Sequence, residues 1–245
     1  MVATTDSSEI LRAPSENVQS SFMEALLKAA GAPAIRKIQR TRLRLLASMA
    51  KQLSDGAEQT ELRVADVVAA AGLAHGTFYR YFPDLRSAIE ALVGDFAIFL
   101  YQQLANSRAG ASGSRDRVKD ATLTYIRVFK ANAGLMRYLN SLRREDTAFR
   151  KAFLELSLGW NTRMASAIAR RRGAVSGQEF LPTAYALGGM IDEFLTQLYL
   201  RQDPALFHLT NDEEAVTELL TELWCLGAYG RLPSESEEGD LRNER

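Results

Sequence analysis

The sequence predicts an all-α protein in two parts, a small N-terminal helical domain followed by a larger helical domain. Apolar residues recur at three- and four-residue intervals along most of the 245 residues, which is the spacing of one helix face. No stretch of the sequence alternates apolar and polar residues as a half-buried strand does, and no repeat of fixed period is present. With 47% hydrophobic residues, the chain can bury a sizeable core.

The composition bears on the compartment and on the partners. The formal net charge is zero, so the overall charge favours neither nucleic acid nor a membrane, although a local patch can act over about 8–10 Å. The single cysteine, Cys225, cannot form an internal disulfide, which suits a reducing compartment. The polar N-terminus lacks a signal peptide, and no window holds the ~20 apolar residues of a membrane span. We therefore expect a cytoplasmic protein with no membrane partner.

The first 35 residues form an N-terminal arm. Residues 1–20 are rich in Ser, Thr and Glu, and this composition predicts disorder. Residues 21–31 (SFMEALLKAAG) predict a short amphipathic helix that ends at Gly31, with Pro33 as a stop signal.

A longer helix follows from Ala34. In IRKIQRTRLRLLASMAKQL the apolar residues fall on one helical face, namely Ile38, Leu45, Leu46, Met49 and Leu53. The polar face is basic, because no acidic residue lies between positions 36 and 51. A run of one charge sign is either a solvated face or a surface that meets an anion, and the run alone leaves both open.

Two short helices, in RVADVVAAAG and HGTFYRYF, follow the loop SDGAEQTE and form a helix-turn-helix candidate. Gly72 lies at the reversal, where a left-handed conformation is cheap for glycine. When Phe78 points at the core, steps of about 100° per residue turn Gly76 and Arg80 outward, with Thr77 and Tyr79 on the flanks. Such a face suits phosphates and a DNA groove.

The stretch VADVVAAAGLAHGTFYRYFPDLRSAIEALV resembles the DNA-binding domain of the TetR family of bacterial repressors. The resemblance rests on an AGxxxGTxYxxF pattern and spans about residues 38–95; beyond it, the chain is similar only in architecture. It implies a three-helix DNA-binding domain over 36–83, with a recognition helix at about 75–81. It also implies a helical effector-binding and dimerisation domain over 84–230, a homodimer built on the last two helices, and a palindromic double-stranded DNA operator. No cofactor is implied.

Carried over by position, Thr77 and Tyr79 would contact phosphates, and His75 and Gly76 would face base edges. The chain departs from the family pattern at Ala74, which takes the place of a capping serine, and near positions 62–63 and 85. We expect Arg63 and Arg86 to bind some of the phosphates that the family's usual side chains bind at these positions. The resemblance also bears on the basic run, because the first helix approaches the DNA backbone in this architecture. We therefore expect arginines of the basic run to contact phosphates. The full predicted DNA-binding set is Arg40, Arg42, Arg44, Arg63, His75, Gly76, Thr77, Tyr79, Arg80, Tyr81 and Arg86.

The remaining elements are a helix from Asp84, its predicted cap, to about 106, a Gly/Ser-rich joint at 108–114, and five further helices. These five are predicted at about 115–131, 134–145, 147–172, 179–202 and 211–229. An acidic, disordered tail is predicted at 231–245.

Two residue sets in the C-terminal half carry the remaining site predictions. An apolar effector pocket is predicted from aromatic and methionine residues, each of which could instead be ordinary core: Phe96, Phe99, Tyr125, Phe129, Met136, Tyr138, Phe153, Trp160 and Met164. The dimer interface is predicted in the last two helices, where intramolecular core is the alternative: Leu187, Gly188, Ile191, Leu195, Leu220 and Trp224.

An enzyme is not expected. The two histidines, His75 and His208, fall in different predicted domains, and the sequence lacks metal-ligand spacing, a nucleophile elbow and a phosphate-cradling glycine loop. We expect no catalytic residue and no metal. The expected function is a transcriptional regulator, a repressor released from its operator by a small hydrophobic effector. The alternative is a DNA-binding dimer that answers to a protein partner, or to no ligand.

Overall fold

The computed structural model describes residues 20–55, 62–107, 114–145 and 147–230, and over these ranges the chain is all-α, as predicted. The helices are α1 (Phe22–Gly31), α2 (Lys37–Asp55), α3 (Val64–Ala70), α4 (His75–Phe78), α5 (Leu85–Asn106), α6 (Ser114–Ala131), α7 (Ala133–Glu145), α8 (Thr147–Arg171), α9 (Leu181–Leu195) and α10 (Glu213–Tyr229). The predicted disordered ends at 1–19 and 231–245, the loop at 56–61 and the joint at 108–113 lie outside the described residues.

The chain forms two compact units. Unit 1 comprises Met1–Asn106 and Arg127–Phe149, and unit 2 comprises Ser107–Ile126 and Arg150–Arg245. Helices α1 to α5 therefore belong to unit 1, together with the end of α6 and all of α7. Most of α8 belongs to unit 2 with α9 and α10.

Helix α1 is an integral part of unit 1. Ser21 caps its start by accepting a hydrogen bond from the Glu24 amide at 3.3 Å. Phe22 is fully buried, and its ring centroid lies 5.3 Å from that of Phe96 and 5.4 Å from that of Phe99. The helix therefore docks through its first residue onto α5.

Asn132 fixes the same end of α1. Its Oδ1 accepts a hydrogen bond from the Phe22 amide at 3.0 Å, and its Nδ2 donates to the Ser20 carbonyl at 2.8 Å and to the Val128 carbonyl at 2.7 Å. Asn132 is buried between α6 and α7. These bonds satisfy a buried amide that would otherwise be costly.

Helix α2 buries one face and exposes its start. Leu45, Leu46, Met49 and Leu53 are buried as predicted, whereas Ile38 is 63% exposed, so its place in the apolar pattern predicted its environment wrongly. Ile38 lies in the first turn of α2. At the other end, Gly134 of α7 meets the α2 backbone: a Cβ there would lie 2.7 Å from the Ser54 Cα.

Helix α5 is the only described helix that is long and apolar enough to cross a membrane. Within unit 1 it buries Ala88, Leu92, Phe96 and Phe99. A core helix of this kind passes the same test of length and composition.

In unit 2, α8, α9 and α10 share an apolar cluster of Ala165, Ile168, Ala184, Leu187 and Ala228. The predicted helix at 179–202 is α-helical only to Leu195, after which a π-helical turn spans Thr196–Leu200. Ion pairs join α6 to α10: Arg115 contacts Glu218 at 2.6 Å, and Lys119 contacts both Glu214 and Glu218.

Candidate nucleic-acid interface

Helices α3 and α4 are joined by a tight turn closed at Gly72. This residue has φ of +65°, in the left-handed region that glycine adopts without strain. The Gly72 amide donates to the Ala69 carbonyl at 3.0 Å, and the Leu73 amide donates to the Val68 carbonyl at 2.9 Å. These two bonds form a Schellman motif, which ends α3 and sets the direction of the chain into α4.

Side chains of α2 hold the end of α3. Arg44 donates from Nη2 to the Ala71 carbonyl at 2.8 Å, and Ser48 donates from Oγ to the Val67 carbonyl at 2.9 Å. Residues 44 and 48 stand one turn apart on α2, so one face of that helix fastens the last turn of α3.

Helix α4 spans His75–Phe78, and hydrogen-bonded turns continue it to Phe82. Ala74 provides no side-chain cap for it, as its sequence indicated. Phe78 and Phe82 are both buried, with ring centroids 5.5 Å apart. These two rings therefore anchor α4 and the turns that follow it, and with them the α3–turn–α4 segment, residues 64–78.

Asp84 precedes α5 and caps its start, as predicted. The Ser87 amide donates to Asp84 Oδ1 at 2.7 Å, and this backbone hydrogen bond lowers the pKa of the Asp84 carboxyl. The cap fixes the start of α5.

The opposite face of α4 is open. His75, Gly76 and Arg80 are exposed, and Tyr79 is 52% exposed. The Tyr79 ring lies against two others, with centroids 5.8 Å from His75 and 5.5 Å from Phe78. A Cβ on Gly76 would meet nothing within 4 Å, so the packing of this chain does not require a glycine there.

Of the predicted interface, Thr77 and Tyr81 are half-buried on the flanks of this face. Arg63 is exposed at the start of α3, where its side chain forms no cap. Arg86 lies on α5 and pairs with Glu90 at 3.3 Å.

The three arginines of the basic run on α2 each make an intramolecular contact, although Arg40 and Arg44 remain exposed. Arg40 donates from Nε to the Ala30 carbonyl of α1 at 3.1 Å, and Arg44 donates to the end of α3, as described above. Arg42 pairs with Asp95 of α5 at 3.0 Å. Sequence reasoning missed Asp95, although one acidic residue in the apolar stretch ALVGDFAIFL was a signal that a cation would be buried beside it.

The predicted pocket residues divide between the units. Phe96, Phe99, Phe129, Met136 and Tyr138 belong to unit 1, and Tyr125, Trp160 and Met164 to unit 2. The structure packs Phe22 of α1 onto Phe96 and Phe99. Tyr125 donates from its hydroxyl to Asp192 Oδ1 at 2.5 Å. The Phe153 side chain lies outside the described residues.

The predicted interface residues of α9 and α10 are largely buried within the single chain. Leu187, Ile191, Leu195 and Leu220 are buried, and Trp224 packs on the unit 2 apolar cluster. Gly188 is half-buried. The large apolar residues of the same two helices that remain exposed are Tyr185, Leu219, Leu223 and Leu226.

Comparison with known proteins adds no relative. No protein-family model and no curated protein matches the chain.

Proposed function

We propose that the protein is a sequence-specific DNA-binding transcriptional regulator of the TetR type, acting as a repressor. The exposed face of α4 is the observation that supports this most. Phe78 and Phe82 anchor the short helix, so Thr77, Tyr79 and Arg80 can serve an external partner. Hydroxyl, phenol and guanidinium groups are common donors to DNA phosphates.

Gly76 adds to this support. Glycine inside a helix costs roughly 0.5–1 kcal/mol relative to alanine, and no neighbour in the chain occupies the space where a Cβ would stand. An external surface that approaches the backbone closely accounts for the residue, and we propose that this surface is a DNA groove. His75 precedes Gly76 on the same exposed face, and we assign it to base edges.

The test begins with selection of bound sequences from a random duplex pool, which reports both DNA binding and operator symmetry. Affinity for the selected duplex should fall log-linearly with salt concentration. Tyr79→Phe should weaken binding to selected and random duplexes alike by roughly tenfold, because it removes one charge-assisted hydrogen bond. His75→Ala should relax preference at one or two base pairs. Val175→Ala, at a fully exposed residue outside the helices, is the control and should change nothing.

The outcomes separate two errors. If the wild type selects no sequence and binds no duplex, the protein is not a DNA-binding regulator. If it binds duplex but Tyr79→Phe binds as tightly as the wild type, the assignment of the α4 face is wrong.

We also propose that the protein is a homodimer on a palindromic operator, joined through α9 and α10. Leu219, Leu223 and Leu226 lie along one side of α10, and each remains substantially exposed in the single chain. A second copy would remove this apolar row from water. The buried Leu195 and Leu220 would instead support the face from behind.

Sedimentation measurements test this interface. Leu223→Glu should yield a monomer that binds the palindromic duplex weakly, because one recognition helix then acts alone. Leu158→Glu, at an exposed leucine of α8, is the control and should remain dimeric. A dimeric Leu223→Glu protein would contradict the proposed interface.

We further propose that a small hydrophobic effector releases the protein from its operator. Such a ligand would shift α5, which follows the α3–turn–α4 segment through the Asp84 cap, and would change the separation of two recognition helices. Because operator half-sites have fixed spacing, affinity for the operator would then fall. The ligand can lower that affinity only to the extent that it binds the shifted state more tightly than the unshifted state. Duplex-release screening with hydrophobic compounds tests this. Insensitivity to all of them would favour the alternative, a DNA-binding dimer controlled by a protein partner or by none.

A further inference from the structure

Arg42 of α2 is held between two other elements of unit 1. Its Nη1 donates to Asp95 Oδ2 at 3.0 Å, and its guanidinium carbon lies 5.5 Å from the centroid of the Phe82 ring. The side chains of Arg42 and Asp95 are only 23% and 6% exposed. A planar guanidinium suits both contacts, because its edge bonds a carboxylate while its face lies over a ring.

The contacts continue to α4. The Phe82 ring that receives Arg42 also packs on Phe78, the fully buried residue of α4. A continuous series of packed side chains therefore runs from Asp95, in the middle of α5, through Arg42 and Phe82 to Phe78 of α4, the residue before Tyr79.

We propose that Arg42 is a positioning residue, which fixes α4 relative to α5, and that it does not contact DNA phosphates; this inference rests on the proposed function. To reach a phosphate, the guanidinium would have to leave a buried carboxylate. Breaking a buried ion pair of this kind is strongly unfavourable.

The other two arginines also bond within unit 1, although both remain exposed. Arg40 bonds the Ala30 carbonyl of α1, and Arg44 bonds the Ala71 carbonyl after α3. Positions 40, 42 and 44 of one helix thus fasten three different helices. Arg42 is the member whose partner is a buried charge, so its role can be tested from both sides of the contact.

Affinity for the selected duplex should be measured over a range of salt concentrations for Arg42→Met, Arg42→Lys, Asp95→Asn and the double variant Arg42→Met/Asp95→Asn. We expect each single substitution to weaken binding, by roughly tenfold for Arg42→Met, with the salt slope of the wild type. The double variant should lose less than the product of the single losses. Arg42→Lys should also weaken binding, because lysine keeps the charge but lacks the planar fork.

A phosphate contact predicts opposite results. Arg42→Met would then reduce the magnitude of the salt slope by about 0.9. Asp95→Asn would leave affinity unchanged or raise it, because it removes a negative charge near DNA and releases the arginine. Either result overturns the proposal. Arg80→Gln provides the reference slope change for a residue on the exposed face.

A second measurement needs no DNA. Hydrogen exchange at the amides of residues 75–82 in the free protein should rise in Arg42→Lys and Asp95→Asn, but not in Lys51→Gln, a control at an exposed position of the same helix. Unchanged exchange in both variants overturns the positioning role, even if Arg42→Met fails to fold. If the wild type binds no duplex, the proposed function fails, while the exchange data still decide whether Arg42 holds α4.

Discussion

Phe22→Ala should release helix α1 from unit 1. Phe22 is fully buried and packs edge-on against Phe96 and at a tilt against Phe99. Truncating a buried Phe to Ala costs about 3–5 kcal/mol of stability. This loss includes the two aromatic ring contacts, which contribute roughly 0.5–1.5 kcal/mol each. Because every 1.4 kcal/mol is tenfold, we expect amide exchange in α1 to rise by at least about a hundredfold.

Native-state hydrogen exchange suits this prediction because it resolves individual elements. Both tryptophans, Trp160 and Trp224, belong to unit 2, so tryptophan fluorescence provides a separate measure of whether unit 2 stays folded. Leu27→Ala is the control, since Leu27 lies on the same helix but is half exposed, and it should cost less than about 1 kcal/mol. If exchange in α1 rises less than about tenfold in Phe22→Ala, or equally in both variants, the Phe22 contacts do not hold the helix.

Four further substitutions, one of them a control, test other parts of the fold. Gly134→Ala should destabilise unit 1 by about 1–3 kcal/mol or more in chemical denaturation, because the alanine methyl would meet the α2 backbone. Gly94→Ala is its control: the space around Gly94 in α5 is open, so this substitution should stabilise unit 1 by about 0.5–1 kcal/mol. Gly72→Ala should cost about 1–2 kcal/mol through its φ of +65°, so an unchanged midpoint would contradict the turn geometry. Hydrogen bonds from Lys119 and Arg115 lower the pKa of Glu218 below the ordinary glutamate value of 4.5. These ion pairs therefore stabilise the fold above that pH, and the stabilisation is lost as pH falls through the lowered pKa. Glu218→Gln should be less stable than the wild type at about pH 7, by about 1 kcal/mol or less, and the difference should vanish in acid.

Periodicity and capping signals predicted most helices, because both act within a few residues of sequence. Gly72 and Asp84 illustrate this: each takes its conformation or its hydrogen bond from its immediate neighbours. The inward turn of Phe78 also followed, since a helix fixes the angle between successive residues.

Partners distant in sequence could not be predicted in this way. Arg42 was one of several cations in a basic run, and only the fold brings Asp95, 53 residues away, to its guanidinium. The same limit applies to α9 and α10. Both helices are apolar on more than one face, so periodicity cannot distinguish Leu220, which is buried, from Leu223, which is exposed.

The hydrogen bonds of Asn132 have a consequence for biosynthesis. This residue receives the start of α1 across 110 residues of chain. At a synthesis rate of about 5–20 residues per second, the N-terminal helix waits roughly 5–20 s before its docking site is complete. Phe96 and Phe99 become available to the Phe22 ring earlier in that interval, whereas the hydrogen bonds of Asn132 form only at its end. The start of an early-translated helix is therefore fixed only after most of unit 1 has been made.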